Sequence, residues 1–241
     1  MNHDQLTERL KNKLQTKEKH ISSDNKQKIM QLFHNYYVLR NEPLQDIIIA
    51  IEEIGELTQV ISKILRQKLQ PTDIAIAEEI TDVKLCIYEL AQNVFKMSTY
   101  DTKKLDAAWI DQKLMKSCIQ ETARNFSKVS NHDLYKTYEE REKHKTDSHI
   151  DVQSLYDISL KMLHTLSKLS LQLTKILTSD EPSKNEDSYK HTCNKIEKQI
   201  RHVNKSLVKL TKTYQIDMEI IRYIEDIKME RTENRIQNNN N

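Results

Sequence analysis

Glycine is nearly absent from this chain. Of 241 residues one is glycine, Gly55, and three are proline, Pro43, Pro71 and Pro182. β-hairpin turns and Gly-rich phosphate loops depend on residues that adopt positive φ at little cost, so neither is expected to organise the fold. Hydrophobic residues make up 37% and aromatics 6%, so the surface must be large and charged. Cys86, Cys118 and Cys193 stand far apart with no C-x-x-C pair. Neither a disulfide framework nor a zinc site is expected, and a reducing cytoplasm fits best. No stretch approaches the roughly eighteen apolar residues of a membrane span. The N-terminal stretch, with Asp4, Glu8 and a run of lysines, lacks a signal-peptide core. A soluble cytoplasmic protein without a membrane partner is therefore expected. Lys+Arg 38 against Asp+Glu 36 nearly cancel, so no global field recruits nucleic acid, and any anion site must be local.

What is present is helical periodicity. Ile29, Leu32, Phe33 and Tyr36 predict a helix from about Asn25 to Arg40, after a polar N-terminal lead over 1–24. Ile47, Ile48, Ile51, Ile54, Leu57, Ile61, Ile64 and Leu65 form one stripe from about Leu44 to Leu69, which Pro71 ends. Ile76, Ile80, Val83, Ile87, Leu90 and Val94 form the next, from about Thr72 to Lys96. Asp101 is expected to cap a helix carrying Leu105, Trp109 and Leu114. Residues 121–151 read as a charged linker, helical in part. Further helices are expected over about Val152–Thr178, Tyr189–Tyr214 and Asp217–Gln237, before a disordered tail, Asn238–Asn241. The fold class is all-α.

The halves also repeat each other. A shift of 112 lays Leu57–Leu65 on Leu169–Leu177 and sets Ile51 and Ile54 against Leu163 and Leu166. A shift of 120 sets Ile76, Ile80, Val83, Ile87 and Leu90 against Ile196, Ile200, Val203, Leu207 and Leu210. A shift of 115 puts Lys113 and Lys116 on Lys228 and Arg231. Three pairs in the same order point to a tandem duplication, with repeats at 25–120 and 152–237. Two helical hairpins in one chain would form a pseudo-dimer, the covalent counterpart of a homodimer.

The first repeat carries Glu52-Glu53-Ile54-Gly55-Glu56 on one long helix and Glu78-Glu79-Ile80-Thr81-Asp82 on the next. Residues three apart share a helix face, so Glu53 with Glu56, and Glu79 with Asp82, each aim two carboxylates one way. If the helices pack antiparallel across the short break at Gln70-Pro71, four carboxylates converge. A hard divalent cation would relieve their repulsion, and Mg²⁺ is the natural occupant, with Mn²⁺ as a substitute. A solvated acidic surface is the plain alternative. Against it, the acids border the apolar stripe. Gly55 also sits inside the cluster at a cost of about 1 kcal/mol relative to alanine, as if a close approach were needed there.

Glu52-Glu53-x-x-Glu56, then 22 residues, then Glu79-x-x-Asp82 resembles the E-E-x-x-E and E-x-x-D signature of the MazG-like all-α NTP pyrophosphohydrolases. That superfamily includes MazG, dimeric dUTPases, dCTP pyrophosphatases and phosphoribosyl-ATP pyrophosphohydrolase. The phrase Ile51-Glu-Glu-Ile-Gly-Glu-Leu57 is similar to its first helix, and the resemblance covers about Ile29 to Lys116. It implies cleavage of a (deoxy)nucleoside triphosphate between the α and β phosphates, giving a monophosphate and pyrophosphate. Glu53, Glu56, Glu79 and Asp82 would hold the metal, which activates water. Glu52 or Glu78 would orient or deprotonate that water.

The second repeat departs from this pattern. Glu52, Glu53 and Glu56 correspond to His164, Thr165 and Lys168, and Glu79 and Asp82 to Gln199 and His202, so no hard-cation site survives there. Lys228-x-x-Arg231-x-x-x-Arg235 nevertheless resembles the basic ending of phage-type members, whereas the first copy keeps Lys113 and Lys116 with Gln120 third. The implied division of labour gives repeat one the metal ligands and repeat two phosphate-binding cations, Arg231 and Arg235 foremost. A solvated basic helix end is the alternative. His164 and His202 lack partners for a soft-metal site. Trp109, Tyr36 and Tyr37 are candidates to stack a base, although core packing suits Trp109 better, and Gln45 and Asn41 are candidates to read one. The rival function is a non-catalytic all-α interaction or regulatory module of the same fold. A coiled-coil scaffold fits poorly, because the stripes break at Pro71 and Pro182. Whether the chain works as a monomeric pseudo-dimer or a homodimer stays open.

Overall fold

A computed structural model describes residues 3–40, 44–67, 69, 71, 74–109, 152–178 and 186–239. Among the described residues every regular element is helical. These are α1 (His3–Thr16), α2 (Ser23–Arg40), α3 (Gln45–Leu65), α4 (Ile74–Glu89), α5 (Thr99–Ala107), α6 (Val152–Thr178), α7 (Glu186–Thr213) and α8 (Met218–Asn239). α4 continues into a π turn over Leu90–Val94. Among the described residues no helix is long and apolar enough to cross a membrane.

Two hairpins, α3–α4 and α6–α7, pack side by side, α3 on α6 and α4 on α7. Their stripes meet in one continuous core. Apolar stripe positions related by the internal shifts share the same burial. Ile76, Ile80, Val83, Ile87 and Leu90 are fully buried, and so are Ile196, Ile200, Val203, Leu207 and Leu210. Leu57, Ile61 and Ile64 match Leu169, Leu173 and Ile176 in the same way. α8 lies across this bundle against α4, α2 and α1, and α5 packs on the π turn.

The expected polar lead is instead a helix. Leu6, Leu10 and Leu14 recur every four residues on α1 and are buried in the core, each contributing about 2 kcal/mol. Frequent charges conceal that stripe in the sequence. α1 is tied to α8 by Arg9 and Lys13, which bond Glu230 at 2.6 and 2.7 Å. Ser98, not Asp101, caps α5. Its hydroxyl accepts from the Asp101 amide and donates to the Asp101 carboxylate, so Asp101 supports the cap from inside the helix. Trp109 is 1% exposed, and its indole N–H donates to Asn204 on α7 at 2.8 Å, joining the two halves. The expected linker, 121–151, lies outside the described residues. α8 runs to Asn239 and so takes in part of the expected tail.

With glycine so scarce, helix ends must use other residues in the left-handed region. Lys17, Gln67, Lys96 and Gln215 have φ of 51°, 55°, 50° and 57°. After α7, the Ile216 amide donates to Thr211 O and the Gln215 amide to Lys212 O, the two bonds of a Schellman end. The single glycine is spent elsewhere. Gly55 lies within α3, where an added Cβ would meet nothing within 4 Å, so the close approach expected there does not exist. Gly55→Ala is therefore expected to stabilise the fold by about 0.5–1 kcal/mol. Lys96→Gly, which relieves a left-handed residue, should do the same. Urea unfolding midpoints measure both, and a lower midpoint for Gly55→Ala would reveal a contact that the helix does not show.

Candidate metal and anion site

The short connection between α3 and α4 makes them antiparallel, so residues pair across the hairpin in one register. Glu56 then faces Glu79, Glu53 faces Asp82, and Asp46 faces Glu89. One carboxylate oxygen each from Glu53, Glu56 and Glu79 lie within 4.8 Å of one another. Glu53 and Glu79 are half-buried, Glu56 is exposed, and the second oxygen of Glu79 is buried without a hydrogen-bond partner. Burial, with Asp82 and Glu56 nearby, pushes Glu53 up to about 8. Burial and the same two neighbours push Glu79 up to about 7. Three hard oxygen donors at this spacing, one orphaned and two reluctant to ionise, are a donor set suited to a small divalent cation.

The fourth expected ligand is engaged otherwise. Asp82 accepts from Lys228 of α8 at 2.6 Å, and Glu78 accepts from the same ammonium at 3.2 Å. Burial works against the charged lysine, but the two carboxylates overcome it and its pKa is raised. Lys228, expected to bind phosphate, thus neutralises two acids in this structure. Burial still raises Asp82, against the pull of Lys228. Glu52 and Glu78, expected to orient water, stand at the edge of the cluster. Glu52 is exposed, Glu78 is bound to Lys228, and neither lines the cavity beside the cluster.

That cavity, of about 280 Å³, is bounded by Glu53, Glu56 and Asp82 on the hairpin and by Lys228, Arg231 and Arg235 on α8. Ile29, Met30 and Phe33 of α2 wall another side. α8 thus brings Arg231 and Arg235, at least 149 residues away in sequence, to Glu53, Glu56 and Asp82 of the α3–α4 hairpin. Trp109 is buried in the core and is not a base-stacking surface. Gln45 is half-buried and does not line the cavity. His164 and His202 are exposed on α6 and α7 and join no metal-binding group among the described residues. Lys113, Lys116, Gln120 and Asn41, and the side chains of Tyr36 and Tyr37, lie outside the described residues.

Sequence reasoning missed a second set of charges that seats α8. Lys26 of α2 and Lys84 of α4 both donate to one oxygen of Glu225 at 2.6 Å, and all three are buried. Burial opposes ionisation of Glu225, but the two ammonium groups bring it down to about 2. His20 bonds Asp226 at 2.5 Å and Glu219 at 3.1 Å. Burial opposes its charge, the two carboxylates outweigh that, and its pKa is raised. Each of these charges sits on a helix that also carries many solvated ones, so spacing alone does not single it out.

Comparison with protein-family models, curated proteins and solved structures finds no match to this chain.

Above pH 4.5 the unfolded chain has released the protons of Glu53 and Glu79, while the folded chain holds that of Glu79 to about pH 7 and that of Glu53 to about pH 8. Without added cation, stability should be highest at the low end of that window and fall as pH rises towards 8. Mg²⁺ or Mn²⁺ should raise the melting temperature, and more at pH 8 than at pH 6, because the ion replaces the protons. His20 contributes a slope of the same sign, so Glu53→Gln should reduce the slope without abolishing it, while weakening the cation effect. A melting curve indifferent to both cations at pH 8 would remove the metal site.

Proposed function

We propose that this chain is a Mg²⁺-dependent nucleoside triphosphate pyrophosphohydrolase with a MazG-like fold, duplicated in tandem as a pseudo-dimer. The observation that carries the reading is the meeting of three carboxylates from two helices beside a cavity whose opposite wall holds two arginines. Anion-binding and cation-binding groups facing each other across one space suit a metal-bound polyphosphate. Neither group alone would.

In this reading Glu53, Glu56 and Glu79 hold the cation. When bound, Mg²⁺ supplies charge neutralisation on phosphate oxygens and an activated water. Arg231 and Arg235 grip phosphate oxygens with planar guanidinium forks and set the chain of phosphates in line. Lys228 cancels charge on Asp82 and Glu78, so the site carries less repulsion for an anionic ligand. Water adds to the α-phosphorus, the bridging P–O bond to the β-phosphate breaks, and pyrophosphate leaves with a nucleoside monophosphate. The second hairpin serves as scaffold and carries α8 to the site. Matching burial at the shifted positions supports the duplication.

One observation favours the rival reading of a non-catalytic module. Lys228 occupies two acids beside the cluster, Asp82 and Glu78, as an internal cation, an arrangement that would also suit a fold that has dispensed with metal. A panel of ribo- and deoxynucleoside triphosphates with Mg²⁺, assayed for pyrophosphate, separates the two. Release from at least one member, lost by roughly 10²-fold or more in Glu53→Gln, is expected of the enzyme. Arg231→Ala should raise KM by roughly tenfold through the lost phosphate grip. No release from any triphosphate leaves the interaction module.

A further inference from the structure

Glu89 is the one acid of the cavity wall that the proposed chemistry does not use. It ends α4, one residue before the helix widens into its π turn, and is 4% exposed. It lines the same cavity as Glu53 and Asp82, and its Oε1 is buried without a hydrogen-bond partner. A buried polar atom with nothing to bond is costly unless a ligand or water satisfies it. Seven residues separate Glu89 from Asp82, two helical turns on one face, or about 10 Å along the axis. Asp46 stands seven residues before Glu53 on α3, opposite Glu89. The acids of this hairpin therefore form two groups, the cluster that faces the cations and a lone pair two turns away.

Apolar walls lie along the same cavity. Ile49 and Cys86 fall between the two acid groups in the hairpin register, and Ile29, Met30 and Phe33 enter from α2. An apolar slot closed by one buried hydrogen-bonding group, set beside a phosphate-binding region, suits a flat heterocycle. Resting on the reading of this cavity as a nucleotide site, we propose that the carboxyl group of Glu89 reads the substrate's base, by hydrogen bonds to an edge that presents a donor and an acceptor side by side. The N4 amine and N3 of cytosine, or O4 and N3–H of uracil, are such edges.

The protonation of Glu89 sets the kind of reading. Burial, with Asp46 behind it, raises Glu89 to about 9, so at neutral pH it is a carboxylic acid. Its O–H donates while its C=O accepts, the same pattern as a glutamine amide. An ionised carboxylate would only accept. Glu89→Gln should therefore preserve base reading, whereas Glu89→Leu should remove it and keep the apolar slot.

Calorimetric titration with Mg²⁺ and nucleoside 5′-monophosphates (CMP, UMP, AMP and GMP), against ribose 5-phosphate as the ligand without a base, tests this directly. The wild-type chain is expected to bind at least one nucleotide about tenfold or more tighter than ribose 5-phosphate. That preference should persist in Glu89→Gln and fall below about threefold in Glu89→Leu. Ribose 5-phosphate itself should bind all three alike. A preference unchanged in Glu89→Leu, or lost in Glu89→Gln, overturns the proposal, as does a wild type that binds nucleotide and sugar phosphate equally. Should Glu89→Leu not fold, Glu89→Gln alone still decides whether a neutral donor–acceptor pair is at work. Pyrophosphate release measured on the same proteins keeps the two readings apart. Base-selective binding without hydrolysis would retain Glu89 and discard the enzyme, and hydrolysis with unaltered preference in Glu89→Leu would do the reverse.

Discussion

Like charge on one face of one hairpin is the constraint around which this molecule is arranged. Glu53, Glu56, Glu79 and Asp82 converge because α3 and α4 run antiparallel, and converging carboxylates repel most where water is scarce. The fold answers with α8. Lys228 reaches in to hold Asp82 and Glu78, and the raised pKa values of Glu53 and Glu79 mark the charge that remains. That residual charge makes a cation attractive there, and the arginines one and two turns beyond Lys228 make an anion attractive alongside it.

For this to work α8 must be seated firmly, and the buried polar groups show how it is. Glu225 sits between Lys26 and Lys84, Glu230 between Arg9 and Lys13, and Asp226 receives His20. Ion pairs of this kind add little net stability, because desolvation offsets most of the attraction, but breaking one partner is costly. Their effect is to set position. The N-terminal helices clamp α8 in the one register that delivers Lys228, Arg231 and Arg235 to the cavity.

The two hairpins carry the same apolar pattern and opposite polar chemistry. α7 keeps the buried apolar stripe Ile76, Ile80, Val83, Ile87 and Leu90 at the shift of 120, as Ile196, Ile200, Val203, Leu207 and Leu210, yet has Gln199 and His202 where Glu79 and Asp82 stand. Packing tolerates that divergence because these positions border the core without entering it. One hairpin can therefore hold charge while its neighbour supplies only support. The same logic extends along the cavity, where acids are grouped near the cations and Glu89 stands apart among apolar walls.

Periodicity determined much of this from the sequence alone. The α3–α4 hairpin, the stripes of α6 and α7 and the approach of Glu53, Glu56 and Glu79 all follow from 3.6-residue spacing and a short proline-marked break, because those are local properties of the chain. Tertiary structure decided which charges matter. Leu6, Leu10 and Leu14 read as part of a polar lead until α8 covers them, and Lys228 reads as a phosphate ligand until Asp82 is found 2.6 Å away. Glu89 has no distinguishing spacing in the sequence, and only the fold buries it. In each case the deciding quantity is distance to a residue far along the chain, and helical spacing carries no information about that.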